Sequence, residues 1–83
     1  MIARLVSSVR ELAMLSLAEL ASADSARLRG DCADALRLEL DCPQQSLSPA
    51  QRAALARLSD ALEGERPATE VFDAVRAASR ALA

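Results

Sequence analysis

The chain has 83 residues, of which 52% are hydrophobic and 27% charged, and its 10 basic and 12 acidic residues leave a net charge of -2. This composition excludes intrinsic disorder, and the mixed signs of charge disfavour binding to nucleic acid or to an anionic membrane. Histidine, lysine, tyrosine, tryptophan and asparagine are absent, which removes most side chains used in acid-base and Schiff-base catalysis. We therefore expect one non-enzymatic domain over residues 1–83, with no cofactor, metal ion or small-molecule ligand.

Apolar residues recur with helical spacing from residue 2 to about residue 21, which predicts an amphipathic first helix. Its buried face is expected to carry Ile2, Leu5, Val6, Val9, Leu12, Ala13, Leu17 and Leu20. Met14, Leu15 and Ala18 project from the opposite side and form a second apolar patch. This patch indicates a second neighbour, or else three singly exposed apolar residues.

A second helix is predicted over residues 24–41. One straight helix over 2–41 would shift its apolar stripe by roughly 120° near residue 23, and no single packing face could follow that shift. We therefore expect a turn at Ser22–Ser25, where Ser22 or Asp24 can cap the new helix. A break at Gly30 is the alternative. The second helix ends before Pro43, because a proline displaces the preceding residue from the helical region.

The third helix, over residues 48–63, has the clearest local start in the chain. Ser48 suits the N-cap, Pro49 suits the first helical position, and Gln51 completes a capping box. Gly64 is expected to close this helix in the left-handed conformation. Leu55, Leu58 and Leu62, with Ala54 and Ala61, make its buried stripe.

A fourth helix is predicted over residues 68–82, opened by Pro67 or Thr69. Phe72 is the only aromatic residue and is expected to fill the junction between the third and fourth helices. The four segments and their short loops predict an all-α fold, either a small up-and-down helical bundle or two packed helical hairpins. The alanine-rich contacts are thin, so a second subunit would reinforce the core.

The two cysteines are not expected to form a disulfide. Cys32 and Cys42 are ten residues apart on a helical pattern, which separates their Cα atoms by ~15 Å, beyond disulfide reach. Cys32 is interpreted as a small core residue and Cys42 as a turn residue.

Targeting signals are weak, and we expect a cytoplasmic protein. Arg10, Glu11 and Glu19 interrupt the apolar run that a signal peptide requires. The longest uncharged stretch near the start, Leu12–Ala18, is too short to span a bilayer.

The stretch from Leu28 to Gly64 contains a helix that ends in Glu39-Leu40, a Cys42-Pro43-Gln44 turn, and a second helix that ends in Ala61-Leu62-Glu63-Gly64. In these features it resembles the small helical-hairpin co-chaperones of bacterial type III secretion needle subunits. The resemblance covers less than half of the chain, and the further helix at Thr69–Leu82 departs from a plain hairpin. It implies a non-catalytic subunit that covers an aggregation-prone helical partner through the Leu28/Leu36 and Leu55/Leu62 faces.

The residues favour a helical protein-protein interaction module, either a self-associating subunit or a small chaperone or adaptor, that binds by burying leucine and alanine faces. This predicts a dimer or a higher oligomer. The candidate interface residues are Met14, Leu15, Ala18, Leu28, Leu36, Leu38, Leu55 and Leu62.

The alternative function is that of a small dimeric DNA-binding regulator. The stretch Leu47–Arg52 resembles the start of the first helix of many helix-turn-helix domains. In that case the DNA contacts would come from Arg52, Arg57, Arg76 and Arg80, and binding to duplex DNA would depend strongly on salt.

Overall fold

The computed structural model describes residues 2–41, 47–64 and 66–83. These ranges contain five α-helices and no strand, which confirms the predicted all-α helical bundle. The helices are α1 (Ile2–Ala13), α2 (Leu17–Ala21), α3 (Ala26–Asp41), α4 (Pro49–Glu63) and α5 (Ala68–Leu82), with a 3-10 turn at Ala23–Ser25 between α2 and α3. The turn predicted at Cys42–Gln44 lies outside the described residues.

The predicted first helix is divided in two, so its expected continuity over residues 2–21 is wrong. After α1 ends, Ser16 caps α2: its hydroxyl accepts the Glu19 N–H at 3.2 Å, and the Glu19 carboxylate accepts the Ser16 N–H at 2.9 Å. A straight 20-residue helix would be about 30 Å long and would extend past α5, whose 15 residues span only about 23 Å. The division turns α2 back onto α5 and buries Leu20, which is 2% exposed.

The chain turns again where the sequence predicted it, at Ser22–Ser25. Ser22 caps the 3-10 turn by accepting the Asp24 N–H at 3.2 Å. Gly30, the alternative break, lies inside α3. The jump of the apolar stripe near residue 23 therefore marked the real helix boundary.

Helices α4 and α5 form an antiparallel hairpin. The predicted capping box at Ser48 and Gln51 is present, with Pro49 at the first helical position. The side-chain amide of Gln51 also donates to the carbonyl oxygen of Ala81 at 3.0 Å, which joins the start of α4 to the end of α5. The polar residue that begins one helix thus also fixes the alignment of the hairpin.

The expected left-handed conformation of Gly64 is wrong. Gly64 does follow α4, but its φ of -83° and ψ of 5° lie in a region open to other residues. The position has a different constraint, since a Cβ atom there would lie 2.8 Å from the carbonyl oxygen of Asp60. The N–H of Gly64 donates to that same oxygen at 2.8 Å. Close approach to the helix end is therefore what favours glycine.

The core gathers small and medium apolar side chains from all the helices. Its buried members are Leu5, Val9, Leu12, Leu20, Cys32, Ala35, Leu36, Leu55, Leu58, Ala61, Val71, Ala74, Val75 and Ala78. Ser25 and Glu39 are buried with them at 4% and 2% exposed. Phe72 is only partly buried against this core, and the Arg76 guanidinium lies 5.5 Å from its ring centroid.

Helices α3 and α4 are linked near the end of α4 by an ion pair. Arg37 donates to the carboxylate of Glu63, and this hydrogen bond, followed by the negative charge of Glu63, raises the pKa of Arg37. Both side chains are largely exposed, so the pair contributes little to stability. The α3–α4 contact therefore depends mainly on apolar packing.

Within the described parts of the chain, none of the helices is both long and apolar enough to cross a membrane.

The two glycines provide a matched pair of stability tests. Gly30→Ala should raise the free energy of unfolding by about 0.5–1 kcal/mol, because the position is exposed inside a helix with open space around it. Gly64→Ala should lower it by about 1 kcal/mol or more, because the new Cβ displaces the Asp60 carbonyl. Urea unfolding followed by circular dichroism measures both, and equal effects of the two changes would contradict this assignment.

Burial raises the pKa of the Cys32 thiol to about 12, from an ordinary value of 9.0. In a Cys42→Ser variant, Cys32 should therefore react with a disulfide reagent at pH 8 only when urea unfolds the chain. Below pH 9 the thiol is neutral in both folded and unfolded states. Above pH 9 the unfolded chain loses the proton first, so stability should fall between pH 9 and about pH 12.

The absence of lysine and tyrosine makes this pH test specific, because no other side chain of the Cys42→Ser variant titrates in that window. The control is the same variant carrying Cys32→Ala, whose stability should be nearly constant from pH 9 to pH 11. An equal loss of stability in both proteins would show that Cys32 is not the group responsible.

Candidate interaction surface

Large apolar side chains are exposed at two places in the described residues. Met14 is 84% exposed and Leu17 is 41% exposed, and both lie where α1 gives way to α2. Leu38, on α3, is 63% exposed. Single exposed apolar residues are common at protein surfaces, whereas adjoining ones indicate a surface for interaction.

The exposed apolar residues at the end of α1, on α2 and in the turn that joins them define a surface that we call the corner patch. It consists of Ala13, Met14, Leu17, Ala18 and Ala21, all of them exposed. Leu17, Ala18 and Ala21 share one face of α2 by their spacing. Ala13 and Leu17 were expected in the core, but the division of the first helix places them at the surface.

Backbone hydrogen bonds hold Met14 in its exposed position. The Met14 N–H donates to the carbonyl oxygens of Arg10 and Glu11 at 3.1 and 3.3 Å, and the Leu15 N–H donates to Leu12 at 3.1 Å. The α1 helix therefore ends in a closed turn, and Ser16 starts the next helix directly. The hydrogen-bonded backbone of this turn therefore holds the Met14 side chain at the surface.

A shallow recess of about 150 Å³ adjoins the corner patch, and we call it the acidic recess. Its lining residues are Leu15, Glu19, Ser22, Asp24, Ser25 and Leu28. Leu15 and Leu28 are partly buried and provide an apolar floor. The hydrogen bond from the backbone N–H of Ser16, followed by that of its hydroxyl, lowers the pKa of Glu19.

A groove with the opposite charge borders the corner patch through Ala13, between the end of α1 and helix α5, and we call it the basic groove. It measures about 410 Å³, and its lining residues are Ala13, Arg76, Ser79, Arg80 and Ala83. Ala13 belongs both to this groove and to the corner patch. Met14 therefore lies in sequence between a residue of the basic groove and Leu15 of the acidic recess.

A buried polar cluster fixes the turn from α2 into α3, below the acidic recess. The Ser25 hydroxyl lies 3.0 Å from the carbonyl oxygen of Leu20 and 2.9 Å from that of Ser22, and it accepts the Arg29 Nε–H at 3.0 Å. Ser25 is 4% exposed. The Ser25 hydroxyl contacts the end of α2, the residue that caps the 3-10 turn, and the Arg29 side chain of α3. Because one group connects all three, this cluster sets the angle between α2 and α3.

The structure separates the predicted interface residues into groups. Met14 and Ala18 lie in the corner patch, and Leu15 and Leu28 lie in the acidic recess beside it. Leu62 is partly buried and borders a different recess, with Arg29 and Arg66.

The remaining predicted interface residues lie away from the corner patch. Leu38 is exposed but follows Leu28 by ten residues, about 15 Å along α3. Leu36 and Leu55 are fully buried in the core of the chain, so in this fold they offer no surface to a partner.

Sequence reasoning missed the contribution of Leu17 and Ala13 to the surface, although a signal was present. Ser16-Leu17-Ala18-Glu19 has the same capping-box pattern as Ser48-Pro49-Ala50-Gln51. Had it been interpreted as a helix start, the first helix would have been divided and Leu17 placed near a surface turn.

The four arginines considered for DNA contact do not form one basic surface. Arg76 and Arg80 share the basic groove, but Arg57 lines a groove with the acidic residues Asp60 and Glu70. Across the described ranges, no group of three or more cysteine, aspartate or glutamate residues is arranged to hold a metal ion.

Comparison with known proteins adds no relative: no protein-family model, curated protein or solved structure matches this chain. The class that the fold defines is a small all-α helical bundle.

Replacing Ser25 tests the polar cluster that orients the surface. Ser25→Ala should lower the free energy of unfolding by about 1–3 kcal/mol, because it leaves buried carbonyls and the Arg29 guanidinium without their shared partner. The control is Ser7→Ala, an exposed serine on α1, which should change stability by less than about 0.5 kcal/mol. Similar values from denaturant unfolding of both variants would show that the cluster contributes nothing.

Proposed function

We propose that this chain is a non-enzymatic helical interaction module that works in the cytoplasm and binds protein through its corner patch. The observation that carries the proposal is the 84% exposure of Met14, close in sequence to exposed Leu17 and next to Leu15 of the acidic recess. Methionine is flexible and polarisable, and it suits contacts with apolar side chains of varied shape. Burying this surface against a helix would release water from several apolar side chains at once.

The side-chain inventory supports a binding role over catalysis. The chain has no histidine and no lysine, and the core cysteine is buried with a raised pKa, which makes its thiol a poor nucleophile. The resemblance to secretion co-chaperones implies an aggregation-prone helical subunit as the partner. In that case the contact would use the corner patch and Leu28, rather than Leu36 and Leu55.

A DNA-binding regulator is the second candidate, and Arg76 and Arg80 in one groove are the observation in its favour. Protein binding is better supported, because Arg57 has acidic neighbours and the net charge is negative. Binding of labelled duplex DNA at low salt, weakened by Arg76→Ala and Arg80→Ala but not by Met14→Glu, would reverse this preference.

Site-specific photo-crosslinking in cells of the source organism tests the interaction module. A photoreactive benzoylphenylalanine at position 14 should give discrete protein adducts, either with a second copy or with another protein. The same group at position 57, which is exposed on α4 away from the patch, is the matched control and should give none of them. Equal or absent adducts at the two positions would contradict binding through the corner patch.

A further inference from the structure

We infer that the occupant of the corner patch is a second copy of this chain, docked about a two-fold axis near Met14. This inference rests on the proposed function and names its partner. The observation that carries it is the opposite charge of the two recesses that border the patch: the acidic recess contributes Glu19 and Asp24, and the basic groove contributes Arg76 and Arg80.

Leu15 lines the acidic recess and Ala13 lines the basic groove, so Met14 lies between them in sequence. Helix α1 packs against both α3, which carries Leu28 of the recess, and α5, which carries the two arginines of the groove.

Two-fold symmetry turns this arrangement into complementarity. In an isologous dimer both copies use the same patch. Residues on one side of the two-fold axis therefore face, in the partner, the residues from the other side of the patch. With Met14 near the axis, the two methionines pack together, and the acidic recess of each copy faces the basic groove of the other. Both apolar burial and charge pairing are then satisfied by one surface.

A partner of uniform charge would fit this surface less well. An acidic helix would be repelled by Glu19 and Asp24, and a basic helix by Arg76 and Arg80, since like charges brought together at an interface cost affinity. A second copy has the same patch, so it places basic residues opposite the acidic recess and acidic residues opposite the basic groove. Charge complementarity therefore favours the chain itself over a simple acidic or basic peptide.

The size of the patch implies a weak dimer. A standard interface buries about 800 Å² on each partner, which would be roughly 15% of the 5191 Å² surface of this chain. The corner patch and the two recesses that border it comprise fewer residues than the roughly 20–30 that a standard interface uses on each side, and four residues of the patch are small or medium in size. We expect a dissociation constant in the micromolar range, on the order of 10 µM.

Sedimentation equilibrium of the purified protein measures this dimer directly. The wild type should pass from monomer to dimer between about 1 µM and about 1 mM. Met14→Glu should weaken dimerisation at least tenfold, because it places a charge at the apolar centre. Leu38→Glu is the matched control: it replaces another large exposed apolar residue, 63% exposed on α3, and should leave the dissociation constant unchanged. Circular dichroism confirms that both variants remain folded.

A charge exchange tests the arrangement about the axis. Asp24→Arg and Arg80→Glu should each weaken the dimer by about five- to tenfold, because each substitution is present twice in a symmetric dimer. The double variant restores opposite charges and should return to within about twofold of the wild type. Arg57→Glu, a reversal outside the patch, is the control and should change nothing.

Each outcome decides the inference. A wild type that stays monomeric and helical at every concentration overturns it, and so does a dimer that Met14→Glu leaves intact or that Leu38→Glu weakens equally. A charge exchange that fails to restore association overturns the two-fold arrangement. If the protein is a monomer but position 14 still crosslinks to a different protein, the proposed function stands and only the second copy is excluded.

Discussion

The structure depends on one constraint, which is that an apolar helical face is stable only as far as a neighbouring helix can cover it. Here the helices that cover α1 are α3 and α5, which have 16 and 15 residues, so they protect about 23 Å of a neighbour. The N-terminal apolar pattern is longer than that. The capping box at Ser16 and Glu19 lets the chain turn back, bury Leu20 and keep within the small core, at the cost of leaving Met14 and Leu17 outside.

The same turn creates the candidate interaction surface. Bonded backbone at the end of α1 presents Met14, and the Ser25–Arg29 cluster holds α3 at the angle that opens the acidic recess next to it. Rigid presentation lowers the entropic cost of ordering on binding. The corner patch is therefore a direct consequence of how a short core accommodates a long apolar segment.

Composition and packing together are the reasons for proposing that this protein binds another protein. Leucine, valine and alanine make up most of the core, and the described charged residues other than the buried Glu39 are spread over the surface instead of gathering in one field. Small chains bury a limited fraction of their apolar surface and gain stability from association by mass action. The proposed binding role rests on these features, the few reactive side chains and the exposed apolar corner patch.

Sequence alone determined the all-α class, the turn at Ser22–Ser25 and the start of α4, because helical periodicity and capping side chains act within a few residues of one another. It also indicated Met14 and Ala18 as surface candidates. Only the tertiary structure decided that the first helix divides, that Leu17 is exposed, and that Leu36 and Leu55 belong to the core. Those outcomes depend on the length and position of helices distant in the chain, and local spacing carries no information about what lies opposite a face.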